Sequence, residues 1–382
     1  MGKYFSDYCA LISSPEQLAL CRQAQSLREL LACIKDLWRC HCLSDDELLG
    51  DISRLNQIPI SSPEVSLVGN WMPYHYQPKG QRVSWLVPVG HATEPFQDET
   101  ISRYRQLLLN QIIQPCTTLA VAREAMAGSA HPAGFIFHLS RCGSTLVSGC
   151  LSELDSTCVF SEPPLLTALL SDKQLTPDEK KVSLGALINL QAATFPLRPQ
   201  MIIKWNAWDI FYWSLIRDLY PQVPVIFLVR DPVEILASHH KNPGRHMVGD
   251  ILLTRAHPQW QVQDPDAPIL ERRIHVLKTL LEEMSAVAPM GLAVDYRLLD
   301  SQRIRNLCGF LCGDLNERAL ARVGNRLGFH SKYTGQLFEA DTVNKQQLFT
   351  AGEVALIKRC LGNTYNRLLK IAMKVDAEVI NA

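Results

Sequence analysis

The chain has 382 residues, with 38 basic and 38 acidic side chains and a formal net charge of +0. At roughly 100–200 residues per domain, this length predicts two domains, or one large domain with an extension. A hydrophobic fraction of 47% with 20% charged residues excludes wholesale disorder. The charge balance argues against a dedicated nucleic-acid-binding protein, which usually carries a basic excess. Any anion site must therefore be a local concentration of positive groups and N–H donors.

The N-terminal third combines helical patterns with a hairpin signal. Apolar residues recur with a helical period over residues 14–34. Two extended stretches, 71–76 and 83–89, flank a turn at residues 78–80, which predicts a β-hairpin. Residues 98–128 again have the pattern of a helix.

A stretch of small residues at positions 127–132 marks a predicted domain boundary. We therefore predict an N-terminal helical and hairpin domain of unknown role over residues 1–130, and a second domain over residues 131–382. In the second domain, short apolar strands alternate with helical segments, at residues 134–139, 201–203, 223–229 and 291–295. Continuous apolar strands separated by helices predict a parallel sheet that is covered on both faces.

The sequence lacks the pattern of an exported or membrane-spanning protein. The first residues contain no sustained apolar segment of a secretory signal, and no stretch approaches the roughly 18 apolar residues of a membrane span. We therefore expect a cytoplasmic protein whose twelve cysteines are reduced. The cluster of Cys33 with Cys40-His41-Cys42 lacks the second half of a zinc site, and Cys308 and Cys312 are interpreted as small buried residues.

The strongest motif follows the strand at 134–139, where a loop leads at once into a helix. Such a junction directs free N–H groups and a helix dipole towards one spot. Its candidate anion-binding residues are Ser140, Arg141, Cys142, Gly143, Ser144 and Thr145. The loop lacks the lysine of a Walker A motif, so a magnesium-dependent NTPase is disfavoured. The alternative interpretation is an ordinary strand–turn–helix junction.

A second motif follows the strand at 223–229. Arg230 stands at the carboxyl end of this strand, where open α/β sheets bind ligands, and Ser238 lies two turns into the next helix. The alternative role for Arg230 is a surface network with Asp231 or Glu234.

Together, the two motifs resemble the sulfotransferase superfamily, and particularly its bacterial and carbohydrate-type branches. The resemblance covers roughly residues 131–370 and implies a P-loop NTPase-like α/β fold, a parallel sheet flanked by helices, with a mainly helical α+β extension at the N-terminus. It implies 3′-phosphoadenosine 5′-phosphosulfate (PAPS) as co-substrate. In that family the first loop cradles the 5′-phosphosulfate, and the positions of Arg230 and Ser238 bind the 3′-phosphate. A looser match makes Lys332 a further candidate for the 3′-phosphate.

The resemblance also implies in-line, metal-independent transfer of a sulfuryl group to a hydroxyl or amine. Glu162 matches the position of the family's catalytic glutamate, and its apolar neighbours could raise its pKa by desolvation; otherwise it caps the next helix. Arg141 would stabilise charge at the leaving oxygen. Lys204 could assist there, or could be a solvated lysine at a strand end. His138 is interpreted as a packed core histidine.

The acceptor is predicted only as a small molecule or carbohydrate, with no nucleic-acid partner and no predicted oligomeric state. Charge neutrality argues against a long polyanionic glycan. The aromatic segment 205–213 is interpreted as core, or else as an acceptor cleft. His239 and His240 are interpreted as a solvated basic face together with Lys241, Arg245 and His246; alternatively, His239 or His240 approaches the donor. Two other functions stay open: a P-loop nucleotide-dependent kinase, and a non-catalytic binding protein on a sulfotransferase fold.

Overall fold

The computed structural model describes residues 3–125, 131–248, 266–328 and 348–380, with side chains to residue 373. The chain divides into two compact units. Their bounds are Met1–His131 with Pro163–Pro199, and Pro132–Glu162 with Gln200–Ala382. The predicted division at residue 130 stays a prediction, and the structural units differ from it in the segment Pro163–Pro199.

The first unit begins with helices whose ends follow capping rules. They are α1 (Phe5–Ser13), α2 (Pro15–Arg22), α3 (Leu27–Trp38) and α4 (Asp45–Asn56). The Ser14 side chain accepts a hydrogen bond from the N–H of Gln17 and so caps α2. Ser44 and Glu47 form a capping box at the start of α4. The apolar period over residues 14–34 thus corresponds to two helices.

The predicted hairpin is present, and it gains a third strand. β1 (Met72–Gln77) pairs antiparallel with β2 (Arg82–Leu86). β2 pairs on its other side with β3 (Cys116–Thr118). The helix predicted across residues 98–128 is therefore wrong at β3, because the backbone of these three residues pairs with Arg82–Ser84.

The remaining helices of the first unit are short, except for the last. They are α5 (Gln97–Tyr104), α6 (Leu108–Ile112), α7 (Leu119–Glu124), α9 (Pro164–Leu170) and α10 (Pro177–Ala193). α10 begins with a capping box between Thr176 and Glu179. A hydrogen bond of 2.6 Å from the Tyr76 hydroxyl to Asp172 links the hairpin to the segment between α9 and α10.

The second unit is built on a parallel sheet, as predicted, and the sheet has five strands where the sequence pattern indicated four. The strands are β4 (Gly134–His138), β5 (Thr157–Ser161), β6 (Gln200–Lys204), β7 (Val225–Val229) and β8 (Leu292–Asp295). Their spatial order is β5-β6-β4-β7-β8, and every pairing is parallel. The carboxyl ends of all five strands therefore meet at one edge of the sheet.

Both faces of this sheet are buried, which explains why its strands lack a polar alternation. On one face, Ile136 belongs to a core with Val147 and Ile304. On the other face, Phe137 stacks on Trp205 with ring centroids 6.0 Å apart and contacts Trp213 edge-on at 5.5 Å. Trp205 and Trp213 of the aromatic segment are therefore core residues.

The helices around the sheet complete the second unit. They are α8 (Ser144–Ser152), α11 (Trp213–Leu219), α12 (Pro232–Lys241), α13 (Ile269–Val287), α14 (Ser301–Cys312), α15 (Glu317–Leu327) and α16 (Ala351–Ile380). Within the described ranges, no helix combines the length and apolar composition that crossing a bilayer requires.

Candidate active site

The loop between β4 and α8 has an unusual backbone. Ser140, Arg141 and Gly143 have positive φ values of 65°, 53° and 83°, a region that residues other than glycine seldom adopt. Residues in such turns direct their N–H groups to a concave site for an anion. α8 begins at Ser144, so the positive end of its dipole faces the same region. The loop and the first turn of α8 thus form a strand–turn–helix junction of the kind at which anions bind in other proteins.

Gly143 is required because a side chain at this position would clash with its neighbours and because the backbone φ is positive. A Cβ atom at this position would lie 2.7 Å from Cδ1 of Leu299 and 3.0 Å from Cδ2 of Tyr296. Both side chains follow β8, at the same edge of the sheet. The segment after β8 therefore packs directly against the loop.

Arg230 follows β7 and lies almost buried in a network of contacts. Its Nε and Nη2 atoms lie 2.6 and 2.5 Å from Oε2 of Glu234, one turn along α12. Its Nη1 donates to the carbonyl oxygen of Arg141 at 3.0 Å. The Tyr296 ring covers the guanidinium group, with its centroid 3.9 Å from Cζ. Of the two alternative carboxylate partners, Glu234 is the one that pairs, but in a buried rather than a surface network.

Arg141 links the loop to the end of α12. Its Nη2 donates to the carbonyl oxygen of Asn242 at 2.6 Å. The N–H of Asn242 in turn donates to the carbonyl oxygen of Ser238, which is half-buried in α12. The fold therefore brings Arg141, Arg230 and Ser238 to the same edge of the sheet.

Three ionisable side chains converge at the ends of neighbouring strands β5, β6 and β4. Glu162 directly follows β5, Lys204 ends β6 and His138 ends β4. Oε1 of Glu162 lies 3.1 Å from Nζ of Lys204 and 3.4 Å from Nε2 of His138. The Lys204 side chain is fully buried, whereas 23% of the Glu162 side chain is exposed. Lys204 is therefore not the solvated lysine that the sequence left open.

The direction of the Glu162 pKa corrects the sequence-based expectation. Burial of the carboxyl group acts to raise its pKa, as we expected. The Lys204 ammonium group and the hydrogen-bonding contact with His138 outweigh burial, and they hold the pKa of Glu162 well below its usual range. The expected upward shift is wrong because Lys204 and His138 meet Glu162 only in the folded chain. Glu162 is consequently a carboxylate at neutral pH.

His138 is the residue whose part in this cluster the sequence interpretation missed. It is buried, as expected of a core histidine, and burial lowers its pKa. However, its Nδ1 accepts a hydrogen bond from the N–H of Ser140 at 3.0 Å. The sequence feature that could have indicated this role is the position of His138 as the last residue of the strand that enters the loop.

Two further histidines are buried near this edge. The rings of His239 and His246 are 5.2 Å apart and perpendicular, and Trp208 lies 5.6 Å from His246. Burial lowers the pKa of His246 to about 4. The interpretation of this segment as a solvated face is therefore wrong for His239 and His246, although His240 is exposed.

The other predicted site residues differ in what they can offer a ligand. The Cys142 side chain is fully buried in the core, so only its backbone can contact a ligand. Ser144 and Thr145 are buried at the first turn of α8. Lys332 lies outside the described residues. In the part of the chain that the structure describes, no group of three or more His, Cys, Asp or Glu side chains is arranged to hold a metal ion.

Comparisons with known proteins found several similar solved structures, of which two are described below. No family model matches the chain, and no curated protein matches it. The crystal structure of a protein from Mycobacterium avium is similar at 11% identity, with a TM-score of 0.42, over 84% of this chain and 95% of the other. A second, from Alicyclobacillus acidocaldarius, is similar at 16% identity, with a TM-score of 0.31, over 61% and 96%. Both are sulfotransferases.

Proposed function

We propose that this protein transfers a sulfuryl group from PAPS to a hydroxyl or amine of a small-molecule or carbohydrate acceptor. The observation that carries the proposal is the arrangement of the site. An anion-binding loop ends one strand of the sheet, and the carboxylate of Glu162 ends another strand at the same edge. Such an arrangement presents a negatively charged donor and a proton acceptor to one space.

In this proposal, the loop binds the 5′-phosphosulfate of the donor. Backbone N–H groups of the loop, the first turn of α8 and the guanidinium group of Arg141 supply positive potential. Arg230 and Ser238 would bind the 3′-phosphate, and Lys332 remains a candidate for the same group. The contact between Arg230 and the Arg141 carbonyl supports this assignment, because it ties the two parts of the donor site together.

The reaction would be an in-line displacement at sulfur that needs no metal ion. The acceptor oxygen or nitrogen forms a bond to sulfur while the bond from sulfur to the bridging oxygen breaks. The electron pair of that bond stays on the bridging oxygen, which leaves as part of adenosine 3′,5′-bisphosphate. Arg141 and the loop N–H groups would stabilise the charge that develops there.

The acceptor proton would pass to the carboxylate of Glu162 as the new bond forms. The low pKa of Glu162 supports this role, because the carboxyl group is deprotonated at neutral pH and can accept a proton. The 3.1 Å contact with Glu162 favours a role for Lys204 in holding the base, rather than in reaching the bridging oxygen. We therefore propose that Lys204 acts through Glu162.

Turnover with PAPS and a panel of hydroxyl and amine acceptors tests this function. We expect release of adenosine 3′,5′-bisphosphate that depends on an acceptor. Glu162→Gln should lower turnover about 100-fold or more, with binding of the bisphosphate retained. Glu153→Gln, at the end of α8, is the matched control and should behave as wild type. Failure of the wild-type protein both to bind the bisphosphate and to release it would contradict the proposal.

The two other functions that the sequence left open give different results. A nucleotide-dependent kinase would be stabilised against heat more by ATP than by adenosine 3′,5′-bisphosphate. A non-catalytic binding protein would release no bisphosphate with any acceptor and would bind a partner without the donor. The sulfotransferase proposal predicts the opposite ranking of the two nucleotides.

A further inference from the structure

His138 contacts both halves of the proposed active site. Its Nδ1 accepts the N–H of Ser140 in the anion-binding loop at 3.0 Å. Its Nε2 faces Oε1 of Glu162 at 3.4 Å. Only 4% of this side chain is exposed, so water does not compete strongly for either nitrogen.

These contacts define which ring nitrogen carries the proton. Nδ1 must be unprotonated, because it accepts a hydrogen bond from a backbone N–H. Burial lowers the pKa of His138, so the ring is neutral at pH 7 and its single proton lies on Nε2. Nε2 lies 3.4 Å from Oε1 of Glu162, a carboxylate whose pKa is itself lowered. This tautomer therefore provides an acceptor for the N–H of Ser140 and a proton on the nitrogen nearest Glu162.

The two groups that His138 contacts both belong to turns with strained backbones. Ser140 has φ of 65° and Glu162 has φ of 54°. A left-handed conformation is unfavourable for residues other than glycine, so neighbouring groups must hold each of these residues there. The N–H of Ser140 is held by His138. The N–H of Glu162 donates to the Lys204 carbonyl at 2.6 Å.

We propose that His138 is a positioning residue that sets the carboxylate of Glu162 relative to the anion-binding loop. One ring nitrogen fixes the loop and the other orients the base, so a shift of the loop is transmitted to Glu162. The inference rests on the proposed sulfotransferase function, since it assigns Glu162 as the base. His138 itself touches neither donor nor acceptor in this role.

Two substitutions separate the two contacts. In His138→Asn, the amide oxygen can replace Nδ1 as acceptor, but the side chain is too short to reach Glu162. In His138→Gln, the amide N–H can replace Nε2, while the acceptor for Ser140 is lost. We expect His138→Asn to lower kcat about 100-fold with the Kd of adenosine 3′,5′-bisphosphate nearly unchanged. We expect His138→Gln to weaken bisphosphate binding about tenfold and to retain more of kcat.

The pH dependence of kcat gives a readout that a purely structural role of His138 would not change. Loss of the N–H donor in His138→Asn should raise the pKa of Glu162, so the acid limb of kcat should move to higher pH. In His138→Gln, the amide N–H can still donate to Glu162, so most of this shift should be absent. His75→Asn, at an exposed histidine of β1, is the control and should change none of these values. Equal loss of stability in both variants, with unchanged kcat, Kd and pH profile, would overturn the inference.

The wild-type protein provides a test that does not depend on the folding of any variant. In a ¹⁵N-histidine NMR spectrum at pH 7, His138 should be neutral with its proton on Nε2. A proton on Nδ1 would overturn the inference whatever the kinetics show. Absence of turnover by the wild-type protein with every acceptor would instead contradict the sulfotransferase function. In that case, the tautomer of His138 in the wild-type protein and the bisphosphate affinities of His138→Asn and His138→Gln decide the role of His138.

Discussion

The Nζ atom of Lys204 lies 3.1 Å from Oε1 of Glu162, and the lysine side chain is fully buried. Lys204 ends β6, and its backbone register partner in β5 is Ser161, the residue before Glu162. The pair therefore forms because two parallel strands end side by side. Removing one partner of a buried ion pair leaves an uncompensated charge, which costs about 3–5 kcal/mol.

Lys204→Met should destabilise the protein and move its pH profile. We expect the free energy of unfolding to fall by about 3–5 kcal/mol in urea denaturation. Without the ammonium group, the pKa of Glu162 should rise, so activity should be lost at a higher pH as the solution is acidified. Lys278→Met, at an exposed pair with Glu282, is the control and should cost less than about 1 kcal/mol. An unchanged acid limb in Lys204→Met would contradict this account of Glu162.

Gly143→Ala should impair both folding and donor binding. The added Cβ atom would meet Leu299 and Tyr296, in a backbone with φ of 83°. We expect a loss of about 2–4 kcal/mol in stability from strain and overpacking together, and weaker binding of adenosine 3′,5′-bisphosphate by titration calorimetry. Gly309→Ala, in open space within α14, should instead stabilise the protein by about 0.5–1 kcal/mol. Normal bisphosphate affinity in Gly143→Ala would show that the loop does not contact the donor.

A double substitution separates the structural role of Arg230 from its proposed binding role. Arg230→Leu alone leaves the buried Glu234 carboxylate without its 2.5 Å partner, so we expect a loss of about 3–5 kcal/mol. Adding Glu234→Leu should recover most of that stability, because no buried charge remains. Bisphosphate affinity should stay at least tenfold weakened in both variants. Recovery of affinity together with stability would remove Arg230 from the donor site.

His246 should make the protein less stable in mild acid. Burial lowers the pKa of His246 to about 4, whereas an unfolded histidine titrates near 6.5. Between these values the unfolded state binds more protons, so the free energy of unfolding should fall as the pH drops from about 6.5 to about 4. The shift corresponds to at most about 3 kcal/mol.

Urea denaturation at pH 7 and pH 4.5 measures this dependence. His246→Gln should lose less stability between the two pH values than wild type does. The Glu162 carboxylate acts to raise the pKa of His246, whereas the His138 ring and the Arg141 guanidinium group act to lower it, and all three remain in the variant. His240→Gln, at an exposed position of α12, should retain the wild-type difference. Equal pH dependence in all three proteins would exclude His246 as its source.

Much of the site could be predicted because its components are local in the sequence. The strand, loop and helix around Gly143 are contiguous, and so are the strand, Arg230 and the helix that carries Ser238. Apolar runs of strand length also predicted the parallel sheet correctly. β3 was missed because three residues carry too little pattern of their own, and their conformation depends on pairing with β2.

The sequence by itself determined the α/β class and the two motifs at the sheet edge, since periodicity and turn chemistry act within short segments. The tertiary structure alone decided which charges meet. The spatial order β5-β6-β4 places Glu162, Lys204 and His138 side by side, although 24 to 66 positions separate them along the chain. Those contacts set the direction of the Glu162 pKa, because the electrostatic environment of a buried group depends on neighbours that only the folded chain supplies.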